Sequence, residues 1–414
     1  MSEYGLIGQS IRYSYSKLIH EDISPINYDL IQLANNIYVD EFLASDFKAV
    51  NVTRPYKEQA YNRCDVLSKE AEETKVVNLI KKIDNKLYGH NTDVFGFEYL
   101  LDINNIKVKD KNCIILGTGA TSKTIDYVLK NKKTKNISFL SRSPKEINQY
   151  SYTDDVINSA EIIINTTPIS MNNYDLNNLI DFTKCKKLEV FIDINYRPNI
   201  TNLMWDAIRL GIKAYNGLPM LVAQAIKANE IFLDTKYDDY FYESELNKIA
   251  NEIMNITLIG HPFAGKSTIG AILANKLNMK FVDIDQEIES IKEMNISDIF
   301  NEYGEEHFRY LETNVIKNNC LNSGTIISTG GGAVLSEDNM RYLKMTSIII
   351  NIERNIENIE TSKNRPLVKN KKDLENIIKQ RENLYKRYSD ISIKNNGNIK
   401  DCIEEILKLL WKYM

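Results

Sequence analysis

The stretch that most restricts how this chain folds is Gly260-His261-Pro262-Phe263-Ala264-Gly265-Lys266-Ser267-Thr268, set between the apolar run 256–259 and a helical pattern over 269–277. A strand, a glycine-rich turn and a helix in that order gather backbone N–H groups and a helix N-terminus around one anion. The spacing predicts a P-loop: Gly260, Gly265 and Thr268 shape the cradle, Lys266 reaches the terminal phosphates of a nucleoside triphosphate, and the Ser267 hydroxyl ligates Mg²⁺. The loop begins well past the midpoint of 414 residues, more than one hydrophobic core usually organises, so the segment ahead of it is read as a separate unit.

That segment alternates short apolar runs (6–7, 49–52, 76–80) with amphipathic stretches, an α/β pattern. The loops after these runs carry unusual polar sets: Ser14-Tyr15-Ser16, Asn51-Val52-Thr53-Arg54-Pro55-Tyr56-Lys57 and Gly89-His90-Asn91-Thr92-Asp93. Ligands of α/β sheets bind beyond the carboxyl ends of strands, so the loops converge on one crevice in this reading. Taken singly, Ser14 and Ser16 read equally well as turn residues, Pro55 as a strand stop, and Thr92 or Asp93 as a helix cap. A second unit opens with the strand 113–116, the turn Gly117-Thr118-Gly119-Ala120-Thr121-Ser122 and a helix through 129. This is a dinucleotide fingerprint with strand and helix in place. The next strand, 137–140, ends at Ser141-Arg142-Ser143, where an arginine suits the 2′-phosphate of NADP better than the ribose hydroxyl of NAD.

Residues 4 to about 232 resemble shikimate dehydrogenase. The resemblance rests on Ser14-x-Ser16, Asn51-Val52-Thr53-x-Pro55-x-Lys57, Asn78, Asn91-Thr92-Asp93-x-x-Gly96-Phe97, the glycine turn, Asn165-Thr166-Thr167-Pro168, Asp193-x-x-Tyr196-x-Pro198-x-x-Thr201 and Gly217-x-x-Met220-Leu221-x-x-Gln224. It implies that Ser14, Ser16, Thr53, Lys57, Asn78, Asp93, Tyr196 and Gln224 hold a cyclohexene acid, with Lys57 and Asp93 as the catalytic pair. It also implies that Gly117, Gly119, Ala120, Thr121, Ser141, Arg142 and Gly217 serve NADP(H). Reducing a ketone needs a proton at oxygen, and a lysine ammonium oriented by a carboxylate supplies one. Tyr13 and Lys17 stand where the family often has His and Pro, and Ala120 and Lys123 where Gly and Arg are common.

The last part of the chain, from 254 onward, resembles shikimate kinase. Beyond the P-loop, the matching pieces are Phe281-Val282-Asp283-Ile284-Asp285, read as a strand end with two carboxylates at alternating positions, Phe308-Arg309-x-x-Glu312, Gly330-Gly331-Gly332, Arg365-Pro366-Leu367 and Arg381-x-x-x-Tyr385. Taken singly, Asp283 and Asp285 read equally well as helix caps, Arg309 as a surface ion-pair residue and the glycine triplet as a tight loop. By resemblance, Lys266 and Ser267 serve ATP and Mg²⁺, Asp283 lies near the metal, and Asp285 holds the hydroxyl to be phosphorylated. Arg309 and Arg381 grip the carboxylate, Gly330 to Gly332 let the backbone approach the ring, and Arg365 belongs to a lid over the nucleotide. Guanidinium forks match a planar carboxylate bidentately, which favours Arg over Lys there. Phe263 replaces a glycine common inside the family's loop.

The expected organisation is α/β throughout: a two-lobed dehydrogenase-like unit with a Rossmann NADP domain, followed by a P-loop kinase with a parallel sheet. The expected boundaries are a substrate lobe over 1–100, the NADP domain over 101–215, a returning helix over 216–233, a linker over 234–253 containing a short helix from about 243 to 253, and the kinase over 254–414. The implied activity is NADPH-dependent reduction of 3-dehydroshikimate followed by ATP-dependent phosphorylation of shikimate. The nearest alternative, an NAD-using quinate-type enzyme fused to a kinase for another small alcohol, is disfavoured by Arg142 and the paired arginines. A net charge of −4 and the lack of any long basic run argue against nucleic-acid or anionic-membrane partners. Five scattered cysteines without metal-ligand spacing and an N-terminus without a leader pattern point to the cytoplasm.

Overall fold

Runs rich in isoleucine, valine and leucine pack well on pleated surfaces, and they build three sheets in a computed structural model that describes residues 3–12, 14–152, 155–168, 180–358 and 371–410. Strands β1 (Tyr4–Gly8), β2 (Tyr28–Gln32), β3 (Ala49–Val52), β4 (Val66–Leu67), β5 (Leu79–Ile83) and β6 (Lys86–His90) form the first, in the order β2-β1-β3-β5-β6-β4. It is mixed, because β5 runs antiparallel to both β3 and β6. Strands β7 (Asn112–Leu116), β8 (Asn136–Leu140), β9 (Gln149–Tyr150), β10 (Ile162–Asn165), β11 (Val190–Asp193) and β12 (Lys213–Asn216) form the second, all parallel, ordered β12-β11-β10-β7-β8-β9. That is the doubly wound dinucleotide-binding order, and its strand order reverses between β7 and β10. Strands β13 (Asn255–Ile259), β14 (Lys280–Asp283), β15 (Thr325–Ser328), β16 (Ser347–Glu353) and β17 (Ile391–Lys394) form the third, also parallel, ordered β14-β15-β13-β16-β17.

The chain divides into two compact units, residues 1–196 with 201–249, and residues 197–200 with 250–414. In the first unit the helix Asp93–Ile103 packs along Leu218–Leu233, joining the two sheets' lobes. In the second, every residue of β13 and β15 is buried, the continuous apolar run expected of parallel strands covered on both faces. None of the described helices is long and apolar enough to cross a membrane.

Three local expectations are corrected. The run 76–80 becomes a strand only from Leu79, because Asn78 turns its amide into a polar network. Asp283 and Asp285 do not alternate along a strand. The Asp283 carboxylate accepts from the backbone N–H groups of Asp285 and Gln286, ending β14 and starting the helix Ile284–Lys292, so Asp285 sits in its first turn. The helix expected from 243 begins earlier, at Asp239, and its Tyr242 ring lies 5.3 Å from Phe95 and 5.7 Å from Tyr99 in the first unit.

One core residue makes folding depend on pH. His20 is fully buried, stacked 4.2 Å from Tyr28 with Phe232 beyond, and burial pushes its imidazole down to about 3, with Asn51 pulling weakly upward. A histidine whose folded value lies below its unfolded value contributes stability above that unfolded value, and the contribution is lost as pH falls. Lowering the pH from about 7 to about 5 should cost about 2 kcal/mol through this residue. Denaturant titrations of His20→Phe should show that increment gone; an unchanged pH dependence would rule the residue out as its source.

Candidate active sites

Two helices in the first unit begin on the residues that matter most. Lys57 opens Lys57–Arg63 after β3, and Asp93 opens Asp93–Ile103 after β6. Both are buried, and Lys57 Nζ donates to Asp93 Oδ2 at 2.5 Å. Asn78 Nδ2 donates to Asp93 Oδ1 at 3.0 Å and to Thr92 Oγ1 at 2.9 Å, while its Oδ1 accepts the Thr92 N–H at 2.8 Å. The Gln224 side chain, on Leu218–Leu233, closes the cluster with Oε1 at 3.4 Å from both Asn78 Nδ2 and Thr92 Oγ1. Four segments thus place an ammonium, a carboxylate and two carboxamides in one buried polar pocket. An ion pair so placed is weakly screened, and removing either partner leaves a buried charge.

Ser14 and Ser16 pair through their hydroxyls at 3.0 Å, and the Tyr196 ring lies 5.5 Å from Tyr15 between them. Thr53 caps the end of β3, its N–H bonded to the Ile7 carbonyl at 2.9 Å. Among the described residues, no hydrogen bond ties Thr53 or the serine pair to the Lys57 cluster. Tyr13 lies outside the described residues.

The glycine turn of the second sheet sits at the strand-order reversal. Gly117 takes φ +100, and a Cβ there would come within 2.9 Å of Thr166 Oγ1, whereas a Cβ on Gly119 would meet nothing within 4 Å. The turn is therefore closed beneath and open above, ahead of the helix Ala120–Asn131 that includes Thr121, a cradle that fits a dinucleotide pyrophosphate. Ser141 and exposed Arg142 follow β8, beside that turn's own strand, where a 2′-phosphate would lie. Gly217 packs against backbone: a Cβ there would fall 1.9 Å from the Ile194 carbonyl oxygen. The Asp193 motif acquires a physical role as well. Its carboxylate accepts from Asn165, Asn195 and Thr201 at 2.7 to 3.0 Å, pinning the loops beyond β10 and β11.

In the second unit the P-loop takes the conformation its glycines permit, with φ +141 at Gly260 and +97 at Gly265. Phe263 holds φ +66, a strained value for a residue with a side chain, and its ring packs against buried Leu374. Lys266 Nζ donates to the Gly260 and His261 carbonyls at 2.9 and 3.0 Å, curled over its own loop. Ser267 Oγ donates to Asp283 Oδ2 at 2.5 Å, pairing two hard oxygen donors of the kind Mg²⁺ accepts beside phosphates and water. Thr268 follows in the helix Lys266–Leu277.

The glycine triplet after β15 collects the remaining residues. A Cβ on Gly330 would come within 2.7 Å of Asp285 Oδ1 and 2.8 Å of Glu312 Oε1, and one on Gly332 within 2.3 Å of the Arg309 guanidinium. The Gly331 carbonyl accepts from Arg381 at 2.9 Å and from the Tyr385 hydroxyl at 2.6 Å. Asp285, Arg309 and Arg381 therefore converge on one loop, with carboxylate and guanidinium groups at the positions where side chains are missing. Arg365 lies outside the described residues.

Glu312 and Tyr385 were visible in the motifs but had no assigned role. Glu312 is wholly buried one helical turn after Arg309 and accepts from it at 2.8 Å. Burial raises the Glu312 carboxyl above its ordinary range against the pull of Arg309. Burial likewise pushes the Tyr385 phenol up to about 12, keeping it a donor. The i, i+3 spacing of Arg309 and Glu312 was the available signal; nothing local marked the Tyr385 bond to Gly331.

Residues 6–80 match the family model described as shikimate dehydrogenase substrate binding domain, and residues 262–411 match that of shikimate kinase. A shikimate dehydrogenase (NADP(+)) of Clostridium perfringens strain 13 is 34% identical over 259 residues, covering 58% of this chain and 94% of that protein. A solved chorismate mutase/shikimate 5-dehydrogenase fusion protein from Clostridium acetobutylicum is 29% identical, with a TM-score of 0.56 over 60% of this chain and 97% of the other. Shikimate dehydrogenase 1 from Peptoclostridium difficile gives the same identity and TM-score over 60% and 98%.

Proposed function

The chain belongs to the shikimate dehydrogenase family and carries a shikimate kinase domain, and from that premise we propose how its residues divide the work of a bifunctional shikimate-pathway enzyme. Residues 1–233 would reduce 3-dehydroshikimate, with 1–100 and the helix over 216–233 holding the acid and 101–215 holding the cofactor. Residues 254–414 would phosphorylate shikimate. The observation that carries the reading is the buried Lys57–Asp93 pair, with Asp93 bonded to Asn78 and Asn78 in turn to Gln224.

NADPH, when bound at the Gly117 to Thr121 turn, supplies the hydride. The Lys57 ammonium gives its proton to the oxygen that becomes the hydroxyl, and Asp93 orients that ammonium while accepting from a neighbouring substrate hydroxyl. Asn78 fixes Asp93, and Gln224, bonded to Asn78 and Thr92, completes the polar wall. Ser14 and Ser16 donate to the substrate carboxylate, with Thr53 and Tyr196 bordering the same acid.

In the other unit Lys266, now on two loop carbonyls, would neutralise the terminal phosphates of ATP, and Ser267 with Asp283 would hold Mg²⁺, which would offset phosphate charge. Asp285 accepts the proton of the attacking hydroxyl, while Arg309 and Arg381 hold the acid's carboxylate above the glycine triplet.

Purified chain should oxidise NADPH with 3-dehydroshikimate and consume ATP with shikimate. Given 3-dehydroshikimate, NADPH, ATP and Mg²⁺ together, it should form a phosphate ester without added shikimate. Absence of either partial reaction would sink the corresponding half of the assignment.

A further inference from the structure

Asn91 lies two residues before Asp93 and is buried, 4% exposed, in the connection between β6 and the helix Asp93–Ile103. Both protons of its amide are used, one on Thr74 Oγ1 at 2.9 Å and one on Thr124 Oγ1 at 3.0 Å. The hydroxyl protons run the other way, from Thr74 to the Glu70 carbonyl at 2.6 Å and from Thr124 to the Ala120 carbonyl at 3.4 Å. Asn91 is therefore the donor in both contacts, and its own Oδ1 has no hydrogen-bond partner among the described residues. A buried acceptor left unmet is a standing cost that an apolar residue of similar size would avoid. What the site gains from asparagine is its two donors.

Those donors join different lobes. Thr74 ends a helix of the substrate lobe, Lys69–Thr74, whereas Thr124 lies in the first turns of Ala120–Asn131, directly behind the cofactor cradle. The path thus runs by hydrogen bonds from Ala120, at the cradle, through Thr124 to Asn91, along the chain to the helix that opens with Asp93, and by Asp93 to Lys57. A second tie, Lys123 Nζ to Glu58 Oε1 at 2.6 Å, reaches the neighbour of Lys57 from the same helix. Both its side chains are about half exposed, 46% and 53%, so solvent screens it and the buried amide link dominates.

We propose that Asn91 and Thr124 are positioning residues which transmit occupancy of the dinucleotide turn to the Lys57–Asp93 pair; the inference rests on the dehydrogenase reading above. A phosphate on the first amides of Ala120–Asn131 fixes the turn that Thr124 hangs from. Fixing Thr124 fixes the Asn91 connection, and with it the direction in which Asp93 holds the ammonium. The link acts on geometry at the reacting centre rather than on affinity for the acid.

Two substitutions at Thr124 separate hydrogen bonding from packing. Thr124→Val keeps the volume and removes the hydroxyl; Thr124→Ser keeps the hydroxyl and removes a methyl. The link predicts that Val lowers kcat for NADPH-dependent reduction about tenfold while Ser stays within about twofold, with KM for 3-dehydroshikimate near wild type in both. A packing role predicts the reverse order. The thermal transition of the first unit reports whether each variant is folded, and amide hydrogen exchange over residues 91–96 reads the link without turnover. Adding NADP⁺ should slow exchange there in wild type and in Thr124→Ser but not in Thr124→Val. Val indistinguishable from wild type, Ser as impaired as Val, or no NADP⁺ effect in wild type would each overturn the link. A wild type that oxidises no NADPH yet shows NADP⁺-dependent protection would instead sink the assigned reaction and leave the link standing.

Discussion

Lys57→Met should lose about a thousandfold in kcat for NADPH-dependent reduction while phosphorylating shikimate at the wild-type rate. Among the described residues the ammonium is the only cation bonded to Asp93, and it is buried with it at 2.5 Å. Methionine keeps the stem's volume and removes both the proton donor and the charge, so the developing alkoxide finds no acid. Asp93 then retains its bond from Asn78 at 3.0 Å, which keeps the carboxylate in place and limits the change to chemistry rather than to architecture. Losing one member of a buried pair also lowers stability, by about 3 to 5 kcal/mol, so the thermal transition of the first unit should fall in the same variant. Steady-state rates for both reactions from one preparation, with calorimetry alongside, test all three statements. Reduction within a factor of about ten of wild type would remove Lys57 from the acid role.

How much of this was legible depended on how local each signal is. The P-loop could be read outright because its glycines, lysine and serine act within nine consecutive residues, and strand and helix flank them. Lys57 and Asp93 are 36 residues apart, and Asn78 and Gln224 are 146 apart. Spacing alone says nothing about such pairs, and only the order of several motifs tied them together. Asn91 was quoted in a motif yet had no assigned role, because its function lies in threonines from two other helices whose side chains look like ordinary helix-interior residues. Strands β4 and β9 have two residues each, too few to show a period. Asp283 stayed open between two readings for a different reason: an aspartate at the end of an apolar run fits a strand and a helix cap equally, and only the downstream N–H groups decide for the cap. Phe263 shows the opposite case, a residue that breaks a local rule in the sequence and carries the resulting strain at φ +66 in the structure.

Lys266→Ala makes the reciprocal experiment, and its effect should reach further than loss of one charge. Lys266 Nζ bonds to the Gly260 and His261 carbonyls, so in the resting chain it also holds the loop's shape. Gly260 sits with φ +141 against the Ile352 carbonyl, close enough that a Cβ would fall 2.3 Å from that oxygen. A loop held this tightly has little freedom to find another route to the phosphates once its lysine is gone. Phosphorylation should therefore fall by about 10²- to 10³-fold in kcat, and KM for ATP should rise as well, because ground-state and transition-state contacts are removed together. Shikimate affinity measured without nucleotide should not change, since Asp285, Arg309 and Arg381 are placed by the glycine triplet and their own helices rather than by Lys266. Reduction of 3-dehydroshikimate should proceed at the wild-type rate. A variant that keeps its ATP KM while losing kcat would show that the two carbonyl bonds do not shape the loop and that Lys266 acts on the transferring phosphoryl group alone.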